Sequence, residues 1–235
     1  MKVDTKEVNP AFQSIIQNPK QKVFLDANFF IPPDRSGVAQ VRAYSFTDFE
    51  KYWLVPLLNE FTELAIHESV YDELVDASIK GYADKQIYCV PSKLKVHYDS
   101  ELSHSEVVLC NTYINKIAIH SRYNPTRDNA KDRGEVKSLA FMAVKKFLYF
   151  AANDALPVRL IRDSGKLKTG LGDMQIVQMY ELIYYLYKMG SYDNRNLRIL
   201  YKYQYYLTAG DKRINPEWGY FIEQMDLLCD ELINL

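Results

Sequence analysis

Apolar residues along this chain fall into short unbroken runs and longer stripes at helical spacing. The clearest run is Val23-Phe24-Leu25, which meets Asp26 and continues through Ala27-Asn28 and Phe29-Phe30-Ile31 to Pro32-Pro33. A continuous apolar run predicts a strand buried on both faces, as in a parallel sheet. An ionised carboxylate at the end of such a strand is costly to desolvate unless something pairs with it. In open α/β sheets the carboxyl ends of strands are also where ligands bind. Asp26 is therefore either the first of several acids gathered around a divalent cation or an aspartate capping the following turn.

The pattern continues with a loop over 32–45 and a helical stripe from Phe46 to Phe61, in which Pro56 is expected to kink or split the helix. Glu63 to His67 is a candidate second strand. A helix follows from Ser69, with Ser69 and Asp72 as its capping pair, Val70, Leu74 and Ala77 facing inward, and Gly81 as its stop. Ile87 to Val90 reads as a short extended piece and Lys93 to Ser100 as a connector. Ser103 with Glu106 forms a capping box for a helix to about Ile119. Ser121 to Arg133 reads as an exposed loop. Val136, Leu139, Ala140, Ala143, Val144 and Phe147 mark the next helix, opened by Gly134-Glu135. Phe147 to Ala152 then runs into Asn153-Asp154, although no Gly or Pro separates that run from the helix before it. A helix from Pro157 to before Gly165, a short strand and turn over Lys166–Gly170, a helix over Asp173–Tyr187 and a helical extension beyond complete the pattern, with Pro216-Glu217-Trp218 starting the final helix.

The chain of 235 residues is 48% hydrophobic and 25% charged, the profile of a soluble globular protein. Its net charge of −1 gives no bulk attraction to nucleic acid, so such a partner would need local basic patches or metal ions. Cys89, Cys110 and Cys229 are too scattered for a disulfide framework or a CxxC site, which suggests a reducing compartment. Residues 1–20 lack the apolar core of a signal peptide, and no apolar run of about 18 residues exists to cross a membrane. The expectation is a cytoplasmic protein. Nine of the 19 tyrosines lie between Tyr180 and Tyr206. Such rings either fill half-buried helix faces or stack on bases.

The acids that matter are Asp26, Glu73, Glu135 and Asp154: two follow expected strands and two lie near helix starts. In a parallel α/β sheet these positions share one edge, so the four can converge. First-turn glutamates are also favoured by the helix dipole alone, and taken singly that accounts for Glu73. Four carboxylates in one poorly solvated pocket cannot all ionise without cations. Oxygen-only ligands select Mg²⁺ or Mn²⁺ over zinc, and the chemistry such a cluster supports is two-metal phosphodiester hydrolysis. Asn28, Asp132, Asn153 and Asp163 are secondary candidates. Asp163 would replace Asp154 if the Glu135 helix ran on to Ala155 and Val158–Ile161 were the strand.

Here Val23-Phe24-Leu25-Asp26-Ala27-Asn28 resembles the opening motif of PIN-domain nucleases, a strand ending in a metal-binding Asp. His67-Glu68-Ser69-Val70-Tyr71-Asp72-Glu73-Leu74 is similar to the second motif, Asp132-Arg133-Gly134-Glu135 to the third and Ala152-Asn153-Asp154 to the fourth. Thr169-Gly170-Leu171-Gly172 is similar to the end of that domain. The resemblance covers residues 21–190; the segment 91–131 and the C-terminal tail have no simple counterpart in it. It implies a three-layer α/β/α fold with a mainly parallel sheet over 21–190. Outside that range the pattern leaves an N-terminal segment (1–20) and a helical C-terminal extension (191–235) expected to pack on the domain. The resemblance implies an endoribonuclease with Asp26, Glu73, Glu135 and Asp154 as catalytic metal ligands, Mg²⁺ or Mn²⁺ as cofactor and RNA as substrate. Arg122, Arg127, Lys131 and Arg133 flank the expected site and either contact phosphates or form a solvated, charge-balanced surface. The toxin of a toxin–antitoxin pair, masked by a small protein partner, is the setting the resemblance suggests, and a homodimer is compatible with it. The alternatives are a PIN-like scaffold that binds RNA or protein without catalysis, and a structure-specific DNA nuclease. No GxxxxGK[ST], GxGxxG, HExxH or G-x-S-x-G occurs, and Asn28 stands where a haloacid dehalogenase-type phosphotransferase would carry a second Asp.

Overall fold

A computed structural model describes residues 2–233, with side chains as far as Cys229. The chain is α/β and divides into two compact units, one formed by 22–30 and 63–176, the other by 1–21, 31–62 and 177–235. The expected domain range 21–190 therefore does not coincide with either unit: residues 31–62 and 177–190 group with the two chain ends.

The first unit carries a five-stranded sheet in the order β3-β2-β1-β4-β5, where β1 is Val23–Leu25, β2 Leu64–His67, β3 Leu94–His97, β4 Tyr149–Ala151 and β5 Gln175–Val177. β1 pairs in parallel with β2 (Val23 opposite Leu64) and with β4 (Phe24 opposite Phe150), and β2 pairs in parallel with β3 (His67 opposite His97). β1 and β4 are buried throughout, as expected of strands in a parallel sheet. From β1 the chain steps through β2 to the β3 edge, then returns to the other side of β1 for β4 and β5. That reversal puts a topological switch point between β1 and β4. Phe24, Leu139, Ala140, Phe141, Phe150 and Leu160 belong to one buried cluster that ties helix Arg133–Lys145 to the strands and to helix Ala155–Arg162.

Several expected elements differ. β3 occupies the segment read as a connector. Leu94 and Val96 are buried while Lys95 is exposed, an edge-strand alternation too short to stand out in sequence. The helix expected from Ser69 is two helices. Glu68–Glu73 follows His67 directly, and Ala77–Tyr88 starts at Asp76, whose carboxylate accepts the N–H groups of Ser78 and Ile79. Gly81 lies inside the second helix and does not stop it, and 87–88 are helical, not extended. Lys166–Gly170 is not a strand: helix Ser164–Leu167 occupies its start, and the last strand is β5, within the stretch read as helical from Asp173. The Glu135 helix ends at Lys146, which adopts a left-handed φ of 59° and releases β4 as a separate strand.

The second unit is almost wholly helical. Helices Pro10–Gln17 and Trp218–Ile233 pack together, and Val3 N–H donates to Asn215 Oδ1 at 2.8 Å, so the N-terminal segment and the C-terminal extension form one body. The helix around Pro56 continues through a π turn over Glu50–Leu54, in which Val55 N–H bonds the Glu50 carbonyl. That wider turn accommodates a proline that lacks an N–H, in place of a break. Tyr180, Tyr184, Tyr201 and Tyr205 are fully buried, and Tyr201 stacks on Phe221 with centroids 4.4 Å apart. These four tyrosines fill core and are closed to stacking on bases. Among the described residues no helix is long and apolar enough to cross a membrane.

Candidate metal centre

Asp26 leaves β1 with its N–H donating to the Ala151 carbonyl at 2.9 Å, which extends the β1–β4 ladder by one residue and fixes the carboxylate beside the end of β4. Asp154 lies three residues beyond β4 and precedes helix Ala155–Arg162, without a side-chain bond to that helix. Glu135 stands in the first turn of helix Arg133–Lys145. One carboxylate oxygen from each of Asp26, Glu135 and Asp154 can be chosen so that all three lie within 4.8 Å of one another. Asp26 is 1% exposed, Glu135 half-buried and Asp154 exposed, so the trio opens outward from a buried floor. It sits at the carboxyl ends of β1 and β4, at the switch point, where ligand crevices of open α/β sheets form.

The electrostatics of the trio are unbalanced. Burial first, then the charges of Glu135, Asp154 and Glu73, hold the Asp26 carboxyl well above the usual range. Burial likewise pushes Glu135 up to about 7, with Glu73, Asp132 and Asp154 adding to it and its own backbone N–H opposing. Among the described residues no lysine or arginine forms a salt bridge with Asp26, Glu73, Glu135 or Asp154. Asn28 bridges two of the acids: its Nδ2 donates to Asp26 Oδ2 at 2.9 Å and to Asp154 Oδ2 at 2.8 Å. Three carboxylates offer oxygen ligands alone, a donor set that suits a hard divalent cation. The residues present therefore fit such a cation.

The remaining sequence candidates are dispersed around this trio. Glu73 ends helix Glu68–Glu73 and accepts the Gly134 N–H at 2.9 Å; burial raises its carboxyl, opposed by that N–H and by Arg133. Asp132 is held by Arg122, through the backbone N–H at 2.8 Å and Nη2 at 2.7 Å. Asn153 is buried, at 3% exposure. Asp163 is exposed, caps the end of helix Ala155–Arg162 and is not part of the trio; Asp154 is. Arg122 is tied to Asp132 yet projects into solvent, and Arg133 Nη1 lies 3.8 Å from Asp128. Arg127 and Lys131 are exposed.

A second group escaped sequence reasoning. His67 Nε2 lies 3.2 Å from Asp99 Oδ1, and Asp99 N–H donates to Glu68 Oε1 at 2.8 Å. Its signal was His67-Glu68 at the end of β2 and Asp99 two residues after β3, hidden because β3 read as a connector. No family model matches the chain, and neither curated proteins nor solved structures give a match.

Proposed function

We propose that the chain is a metal-dependent endoribonuclease with a PIN-like three-layer α/β/α architecture, and that Asp26, Glu135 and Asp154 hold Mg²⁺ or Mn²⁺. The observation that carries this is the convergence of three carboxylates at the sheet's switch point, with none of them in a salt bridge to a lysine or arginine among the described residues. A bound divalent cation supplies Lewis acidity for hydrolysis of a phosphodiester. The chain's own residues do the rest. Asp26, on the buried floor, fixes the position of the site relative to β1 and β4. Asn28 orients Asp26 and Asp154 together. Asp154, the exposed member, faces incoming substrate. Arg127 and Lys131, exposed and in no salt bridge among the described residues, are suited to phosphate oxygens, with Arg122 and Arg133 beside them.

The test is cleavage of end-labelled single-stranded RNA and DNA in Mg²⁺, Mn²⁺ or EDTA. Wild type is expected to cut RNA internally only with the metal, and Asp26→Asn to lose at least a hundredfold in rate while keeping its circular dichroism spectrum. Cleavage of RNA by Asp26→Asn at the wild-type rate rejects the assignment.

A further inference from the structure

We infer that Glu73 is a positioning residue and not a ligand of the cation: it caps helix Arg133–Lys145 from another element and so sets Glu135. This rests on the cation site proposed above. An α-helix leaves its first N–H groups without partners, and the residue just before it normally satisfies one of them. Here that residue is Asp132, an ordinary capping type, yet it makes no side-chain bond to its own helix. Its φ is 58°, and both carboxylate oxygens are taken by Arg122. The cap comes instead from Glu73, whose Oε1 accepts the Gly134 N–H at 2.9 Å. The fit is close along the whole carboxyl group. A Cβ on residue 134 would lie 2.6 Å from Glu73 Oε1, 2.9 Å from Cδ and 3.1 Å from Oε2. A side chain at 134 would have to push the Glu73 carboxylate off this position, and the residue held next in the chain is Glu135.

Glu73 is itself anchored: Leu74 after it is fully buried. Asp26, Glu135 and Asp154 offer oxygens that all lie within 4.8 Å of one another, and Glu73 is not in that group, although its charge acts on Asp26 and Glu135. Turning Oε1 toward a cation would strip the Gly134 N–H of its partner and loosen the first turn that carries Glu135. The cap uses Oε1 alone, so what separates Glu73 from the ligands is its place outside the trio of mutually close oxygens.

Mn²⁺ affinity, measured on the full chain from the EPR signal of free Mn²⁺, separates them. Glu73→Gln, Glu135→Gln, Asp26→Asn and Asp154→Asn each remove one negative charge, so long-range attraction falls in all four. Loss of a ligand is the added effect in three. Glu73→Gln keeps an oxygen for Gly134 and is expected to bind Mn²⁺ at least tenfold more tightly than Glu135→Gln. Glu73→Ala, which lacks that oxygen, is expected to bind several-fold more weakly than Glu73→Gln. A thermal melt in EDTA adds a metal-free check: Gly134→Ala should lower the melting temperature of wild type and cease to do so in a Glu73→Ala background. Glu73→Gln as weak as Glu135→Gln overturns the positioning role alone. So does a Gly134→Ala penalty that persists without Glu73. A wild type that binds no Mn²⁺, or an Asp26→Asn that binds as wild type does, overturns the cation site and the positioning role together.

Discussion

At the scale of single residues, Asn28 places a neutral amide between two carboxylates. Its Nδ2 touches both Asp26 and Asp154, so in the metal-free protein it softens a repulsion that burial makes strong. Asn28→Asp keeps the shape and reverses the effect, replacing a shared donor by one more negative charge. The metal-free variant should melt several degrees below wild type at pH 7.5. The proposed cation site, richer by one carboxylate, should bind Mn²⁺ more tightly, so saturating Mn²⁺ should raise the variant's melting temperature more than it raises that of wild type. Calorimetric melts in EDTA and in Mn²⁺ provide the check. Equal melting temperatures for the two proteins in EDTA would mean that the amide does not carry this load.

Elements explain why some of the chain could be read from sequence and some could not. Helix Arg133–Lys145 was legible because its apolar positions keep helical spacing over three turns; β1 was legible because it is apolar on both faces. Their ends brought Asp26 and Glu135 within reach of inference. The boundary between that helix and β4 was not legible, since it depends on a non-glycine residue, Lys146, in the left-handed region at φ 59°. The ambiguity between Asp154 and Asp163 came from that one residue. A side chain there costs about 1 kcal/mol relative to glycine, which meets no such penalty. Lys146→Gly should therefore raise stability by about 0.5–1 kcal/mol in urea unfolding, with the m-value unchanged; a loss of stability would mean that Lys146 makes a contact worth more than its backbone strain. β3 and β5 were hidden for a different reason. β3 is a four-residue edge strand broken by the exposed Lys95, and β5 is three residues long in a window whose apolar spacing also fits a helix. Periodicity fixes long elements well; every strand here has only three or four residues, and the two outer ones lack the unbroken apolar run that marks β1.

At the scale of the whole molecule, a near-neutral chain concentrates like charge at one point of its sheet, and this makes its stability depend on pH with a definite sign. Asp26 and Glu135 both have carboxyls raised above their unfolded values, Glu135 to about 7. A raised group stabilises the folded state fully below its unfolded value, near 4, and that stability is lost as pH rises through the folded value. Unfolded chains have already ionised these acids by pH 5; the metal-free native state must ionise them against burial and against each other. Metal-free wild type should therefore lose stability between pH 5 and 8. Asp26→Asn removes the most buried of the charges, so its profile over that window should be flatter and its melting temperature at pH 8 higher. The expected difference is on the order of 1–3 kcal/mol, since raising a carboxyl tenfold in proton affinity costs about 1.4 kcal/mol once it must ionise, and this amounts to several degrees for a chain of this size. His97, whose burial lowers its own proton affinity, adds a slope of opposite sign below its unfolded value; the two proteins share it, and it cancels in their difference. Mn²⁺ at pH 8 should reverse the order, restoring wild type and leaving Asp26→Asn where it was. Parallel pH profiles in EDTA would show that the acids do not repel one another as their geometry requires, and the case for a cation between them would fall with that repulsion.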